Sequence, residues 1–249
     1  MFAGLSFFKI LYMERLVDKH HVIAIIPARG GSVGIPKKNL IPLCGRPLLG
    51  WTIDHALQTA EIDQVYVSTD DDKIAEYAVT RGAQVIKRPA GISGGSANSE
   101  SAIQHALTNI KANSNFDPDI VVFLQATSPL RKNDDIGAAI DLFRSEKADS
   151  LFSSSVAADL TIWNKNDVGW ESINFDYKNR KTRQTAPTQF VENGSIYIFR
   201  PELLTQTGNR LGGKIESYVM SPWQVHEIDV EEDVELIEYY MEKYIIGKE

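Results

Sequence analysis

Apolar positions in this chain follow two rhythms, one of period two or less and one near 3.6, and the switches between them lay out its elements. Val22–Ile26 is five apolar residues in a row, the pattern of a strand buried on both faces. Beyond a polar, glycine-bearing loop, Leu49, Ile53 and Leu57 recur at every fourth residue. That spacing predicts an amphipathic helix over Leu48–Ala60, with Pro47 at its first position. Gln64–Thr69 (QVYVST) carries the β-branched and aromatic residues of a strand. Asp70, Asp71 and Asp72 follow as candidate caps for a helix over Lys73–Arg81, closed by Gly82. A strand over Gln84–Lys87, a helix over Ser99–Ile110, a buried strand over Ile120–Leu124, a helix over Asp134–Arg144 and a strand over Ser150–Val156 continue the alternation.

Strands alternating with helices of ten to fifteen residues predict an α/β fold, a Rossmann-like, mostly parallel sheet with helices on both faces. In such sheets ligands sit beyond the carboxyl ends of the strands. The glycine loop after the first strand, Asp70 after the next and Gln125 after Leu124 therefore share one edge. From about Ala157 the rhythm breaks. The stretch around Trp163, Asp167-Val168-Gly169 and Trp170 predicts a hairpin, either plainly packed or an exposed dimer surface, and Asn179–Phe190 is polar, basic and aperiodic. A strand over Ser195–Phe199, a short helix over Pro201–Gln206 and a helix over Glu231–Ile246 complete the chain. The expected organisation is an N-terminal extension at 1–20, with Met13 nearer the true start, and one domain over 21–249 in which 157–192 is an insertion.

Composition narrows the function. The 249 residues carry a formal charge of −7, with 26 Lys and Arg against 33 Asp and Glu, and no basic stripe, which argues against nucleic acid as a partner. The apolar run near the N-terminus is too short for a membrane span and lacks the basic start and small-residue cleavage site of a signal peptide. The single cysteine, Cys44, cannot form an intrachain disulfide, and the five histidines show no metal-ligand spacing. A cytoplasmic protein is expected.

Cations are instead gathered locally. Gly30, Gly31, Ser32 and Gly34 lie between Arg29 and the pair Lys37, Lys38. Glycines let backbone N–H groups approach an anion, and flanking cations hold it, so the loop is a candidate phosphate cradle. Neither the Walker spacing nor the dinucleotide spacing of glycines is met. Near the C-terminus, Glu227 and Asp229 alternate along an extended stretch, so both carboxylates face one side. Oxygen ligands of this kind, completed by substrate phosphates and water, suit Mg²⁺.

The loop ARGGSVGIPKKN resembles the ARGGSKGIPRKN loop of the cytidylyltransferases that activate nonulosonic acids, the CMP-N-acetylneuraminate synthetase family. Further segments resemble that family in the same order: VSTDDDKIAEYA (Val67–Ala78), RPAGISGGSANSESAIQHAL (Arg88–Leu107), FLQATSPLRKNDDI (Phe123–Ile136), TRQTAP (Thr182–Pro187), ENGSIYIF (Glu192–Phe199) and HEIDVEEDVEL (His226–Leu236). Together they cover roughly 22–246. The resemblance implies that Arg29, Gly30, Gly31, Ser32 and Lys38 bind the triphosphate of CTP, with Arg29, Lys38 and Asp229 catalytic. It implies nucleotide contacts from Arg88, Ala97 and Ser99, sugar contacts from Gln125, Arg183, Gln184 and Asn193, and Mg²⁺ on Asp229 and Glu227. It also implies a homodimer, with 157–192 as a dimerisation and sugar-binding lobe and Arg183 serving the partner's site. Arg131 has an ordinary alternative as a salt-bridging loop residue.

The implied reaction transfers CMP from CTP to the anomeric hydroxyl of a nine-carbon 2-keto sugar acid, releasing pyrophosphate. Four positions depart from the pattern: Val33 for Lys, Gly95 for Asp, Ala126 for Pro and Glu227 for Asp. Two alternatives stay open, a 3-deoxy-octulosonate cytidylyltransferase and a noncatalytic nucleotide-binding protein on the same fold.

Overall fold

The computed structural model of the chain describes residues 21–32, 34–94, 98–114, 116–157, 161–182 and 184–247. The expected N-terminal extension lies outside the described residues, as do Val33, Gly95, Ala97 and Arg183.

The apolar run after His21 forms β1 (Val22–Pro27), and a two-stranded ribbon of β2 (Pro42–Leu43) and β3 (Arg46–Pro47) follows the glycine loop. The helix α1 (Leu48–Gln58) starts at the expected Leu48 and ends two residues short of the expected Ala60, and Pro47 is not its first residue. Pro47 has ψ near 140°, an extended conformation, and so stands just outside the helix rather than in its first turn. β4 (Gln64–Thr69) leads into α2 (Asp72–Thr80), capped by the Asp71 carboxylate, which accepts from Lys73 N and Ile74 N at 2.8 and 3.0 Å. Gly82, with φ of +92°, ends that helix as expected. β5 (Gln84–Lys87), α3 (Ser99–Asn113), β6 (Ile120–Leu124), α4 (Asp135–Ser145) and β7 (Ser150–Val156) keep the predicted alternation. Among the described residues the hairpin β8 (Trp163–Asn166) and β9 (Gly169–Ser172) pairs only with itself. β10 (Phe190–Phe199), α5 (Pro201–Thr207), β11 (Ile215–Met220) and α6 (Glu231–Tyr244) complete the order.

The seven-stranded sheet runs β11-β7-β10-β6-β1-β4-β5. Every neighbouring pair is parallel except the two made by β10. In the middle, Ile25 pairs with Tyr66 on one side and Phe123 on the other. Because β1 is covered on both faces, its side chains alternate between two cores. Ala24 and Ile26 meet α1, α2 and α4 through Ile53, Ala78 and Ile140. Ile23 and Ile25 meet α3 through Ile103 and Ile110. A third cluster around Trp51, Ile228, Ile237 and Met241 seats α6 against the start of α1.

Two departures from the sequence pattern bear on the site. β10 is twice the expected length, beginning at Phe190, and its pairing with β7 shifts register between Glu192 and Tyr197. Gly194, with φ of +66°, stands inside that irregularity. β11 is unmarked in the sequence because it is an edge strand, half-exposed, with Glu216 and Ser217 breaking its apolar run.

Candidate functional site

The ends of β1 and β6 open on one cleft of about 330 Å³. Arg29, Ser32 and Lys38 line it from the glycine loop, Arg88 from beyond β5, and Ser99 from the first residue of α3. The loop is fixed by its neighbours. Gly30 N donates to Asp70 Oδ1 at 3.0 Å, the Arg29 guanidinium to Gly94 O at 2.9 Å, and Asn39 Nδ2 to Arg29 O at 3.0 Å. A Cβ on Gly30 would stand 2.8 Å from Asp71 Cβ, so the loop lies against the cap of α2 only because that residue is glycine. Gly31 faces open space. Arg88 is buried and anchored to Ser68, its Nε to Oγ at 3.2 Å and its Nη2 to O at 2.6 Å. Burial lowers its pKa, with the Asp70 charge opposing the shift. Three guanidinium or ammonium groups and the positive end of a fifteen-residue helix therefore face one space. That arrangement suits an extended polyanion.

The opposite wall is acidic. Ile228 is wholly buried, and its N–H donates to Thr127 O at 2.8 Å, so the residues on either side of it, Glu227 and Asp229, both turn into the cleft. Gln125 Nε2 and Thr127 Oγ1 each donate to Glu227 Oε2 at 3.3 Å. Burial, and then the Asp229 charge, raise the Glu227 pKa above the ordinary carboxylate value. Lys38 bridges the walls, donating to Ile228 O at 2.8 Å and to Asp229 Oδ1 at 3.0 Å. Two hard oxygen donors, set close enough that one raises the proton affinity of the other, and already attracting an ammonium, fit a divalent cation such as Mg²⁺. Among the described residues no group of three or more His, Cys, Asp or Glu forms a metal cage, so phosphate and water would complete the shell.

Residues 23–234 match the sequence profile of a family described as Cytidylyltransferase. The chain belongs to that family. It is 36% identical over 220 residues to the N-acylneuraminate cytidylyltransferase of Oncorhynchus mykiss, covering 87% of this chain and 49% of the relative. It is 30% identical over 215 residues to the enzyme of the same name from Streptococcus agalactiae serotype V, covering 85% and 51%. The chain thus spans about half the length of the curated relatives it matches. Among solved structures, a CMP:2-keto-3-deoxy-manno-octonic acid synthetase complexed with CTP superposes with a TM-score of 0.68 at 16% identity, covering 90% of this chain and all of that one. A 4-diphosphocytidyl-2C-methyl-D-erythritol synthase from Anaerococcus prevotii does so at 0.64 and 15%, with the same coverage. At those identities the likeness is one of fold.

Within this cytidylyltransferase chain the cleft gathers Arg29, Ser32, Lys38, Arg88, Ser99, Gln125, Glu227 and Asp229 from the residues expected at the site. Asn193 is different. Its amide is buried and spent inside the protein, accepting from Ser153 Oγ at 2.5 Å and donating to Met220 Sδ at 3.1 Å and Gln224 O at 3.4 Å. These bonds tie β7, β10 and the segment before Glu227 together. Gln184 is exposed in the loop between β9 and β10, apart from the cleft. Two residues the site depends on, Gly194 and Thr127, are not singled out by sequence reasoning, and Gly34, expected as part of the phosphate cradle, has a second use. A Cβ on Gly34 would overlap the Asp229 carbonyl, and one on Gly194 the Glu227 carboxylate. Gly194 sits inside the ENGSIYIF segment, the one signal that could have marked it.

Proposed function

We propose that this chain transfers CMP from CTP to the anomeric hydroxyl of a nine-carbon 2-keto sugar acid, with release of pyrophosphate. The observation that carries the proposal is the facing of the cation-flanked glycine loop and the Glu227–Asp229 pair across one cleft. The relatives' names supply the acceptor class. Arg29, Ser32 and Lys38, with Arg88 and the start of α3, hold the triphosphate and neutralise its charge. Asp229 and Glu227 hold Mg²⁺, which when bound withdraws charge from the α-phosphate and lowers the pKa of the attacking hydroxyl. Gln125 orients the sugar acid beside them. The acceptor oxygen bonds to the α-phosphorus as the bond to the leaving pyrophosphate breaks and the hydroxyl proton passes to water, so positioning and charge neutralisation do most of the work. Lys38 follows the charge, its ammonium standing at the acidic wall on Ile228 O and Asp229 Oδ1.

The same proposal makes the working unit a homodimer joined through the arm at 157–192. What supports this is the arm's exposure: Trp170 is 66% exposed and Val168 98%, and the Trp163 ring meets Phe175 edge-on and Tyr177 at a tilt within the same arm, at ring distances of 5.3 and 5.5 Å. Arg183 and Gln184 then act on the partner's sugar acid. No helix among the described residues is long and apolar enough to cross a membrane.

Pyrophosphate release from CTP and Mg²⁺ with neuraminate, legionaminate, pseudaminate and octulosonate tests the proposal. Release with a nine-carbon acid supports it. Release with octulosonate alone moves the acceptor to eight carbons, and CTP binding without release from any acid overturns the catalytic proposal.

A further inference from the structure

Arg131 is the bulkiest of the wholly buried side chains, and a surface salt bridge does not account for it. Its Nη1 donates to Thr52 Oγ1 at 3.0 Å, and its Nη2 donates to Gln125 O at 2.7 Å and to Ser195 O at 2.6 Å. Its Nε meets no partner among the described residues. No hydrogen bond of its guanidinium goes to a carboxylate there, and Asp135 and Glu227 act on it through their charge alone. Burial brings its pKa down only to about 9, so it is a cation at neutral pH. A buried guanidinium without a bonded carboxylate is costly, and pure packing would be served better by an apolar side chain.

The three groups it holds explain its place. Thr52 belongs to α1, Gln125 follows the end of β6, and Ser195 follows the Gly194 irregularity in β10. Gln125 then donates to Glu227, and Gly194 provides the space in which the Glu227 carboxylate stands. The guanidinium therefore ties, from below, the two backbone segments that frame the acceptor end of the cleft. Arg29, Lys38 and Arg88 are anchored through Gly94, Asp229 and Ser68 and share no hydrogen-bond partner with it among the described residues.

We propose that Arg131 is a positioning residue for the sugar-acid end of the cleft: by holding the carbonyls of Gln125 and Ser195 it sets where the Gln125 side chain stands. This rests on the proposed function, in which Gln125 orients the acceptor. A planar fork can hold two carbonyls and a hydroxyl at once, whereas a lysine ammonium in its place keeps the charge and loses that geometry.

The test uses the full chain, with Arg131→Lys, Gln125→Ala and their combination. CTP affinity is measured by calorimetry and acceptor KM by pyrophosphate release. Arg131→Lys is expected to raise the acceptor KM about tenfold or more, as loss of a supporting residue does, while the CTP Kd stays within about twofold. On the Gln125→Ala background it should add less than about twofold, because the two act as one unit. Equal losses for CTP and acceptor, or effects that simply multiply, overturn the proposal and leave Arg131 as general scaffold. Should Arg131→Lys not fold, Thr52→Val removes one of the three anchors without changing shape and is expected to shift the same KM in the same direction. An unchanged KM in folded Thr52→Val is then the overturning result. A wild-type chain that binds CTP but turns over no acid overturns the proposed function and this inference with it, whereas wild-type turnover with unaltered variants overturns this inference alone.

Discussion

Lys38 and Asp229, 191 residues apart in the chain, meet in a 3.0 Å ion pair that closes the cleft. The two ends differ in exposure, the Lys38 side chain at 13% and Asp229 at 74%. An ion pair with one end in water contributes little to stability, so its value lies in bringing the cationic loop to the acidic wall.

Asp229→Ala is therefore expected to leave the fold intact and to lower pyrophosphate release by at least about a hundredfold. Far-UV circular dichroism and thermal unfolding report the first, the release assay the second. Normal turnover of this variant at saturating Mg²⁺ would sink the metal assignment.

Gly194→Ala and Gly31→Ala should behave oppositely in a urea titration. The first forces a side chain into a left-handed backbone and against the Glu227 carboxylate, at a cost of about 1–3 kcal/mol. The second adds a methyl group to open space and should leave the unfolding midpoint near the wild-type value. Equal midpoints for the two variants would refute the packing described around Glu227.

Gly194 marks where the sequence stops being legible. The alternation of apolar runs and helical spacing is a local signal, and it carries the parallel sheet, its helices and the edge where Arg29, Asp70 and Gln125 gather. Gly194 depends on what approaches from Glu227, far along the chain, and no periodicity encodes that approach. β11 is hidden for a related reason, since an edge strand needs only half of an apolar pattern. Asn193 lies inside a family-like motif, yet its amide is turned to Ser153 and Met220, because motif position fixes the backbone and not the direction of a side chain. Arg131 has two uses open to it in the sequence, and only its complete burial decides against the surface one.

Acid should destabilise the fold partly through His55. Burial, and then the charges of Arg131 and Arg46, hold its pKa at about 3, against 6.5 in an unfolded chain. Between those values the unfolded chain takes up a proton that the native state refuses, so stability is full above 6.5 and is lost as the pH falls toward 3. The slope from this one group approaches about 1.4 kcal/mol per pH unit. Thermal midpoints measured from pH 7 to pH 4 should fall less steeply for His55→Gln than for wild type. Parallel curves would show that His55 is protonated in the native state.

Trp170→Ser tests the arm. Its ring contributes nothing to the buried cores, so the thermal midpoint of the isolated subunit should not move, while sedimentation velocity should shift toward a monomer. An unchanged dimer fraction would place the interface elsewhere.

The position of β10 also governs how the chain must assemble. In the sheet it lies between β6 and β7, yet it is made after both. Until it arrives, β6 and β7 each present an unpaired backbone edge, and neither can satisfy the other without excluding the strand that belongs between them. The arm and its exposed aromatics are synthesised in this same interval. The nascent chain is thus most open to mispairing between completion of β7 and insertion of β10, and that interval is where a chaperone would have most effect on yield.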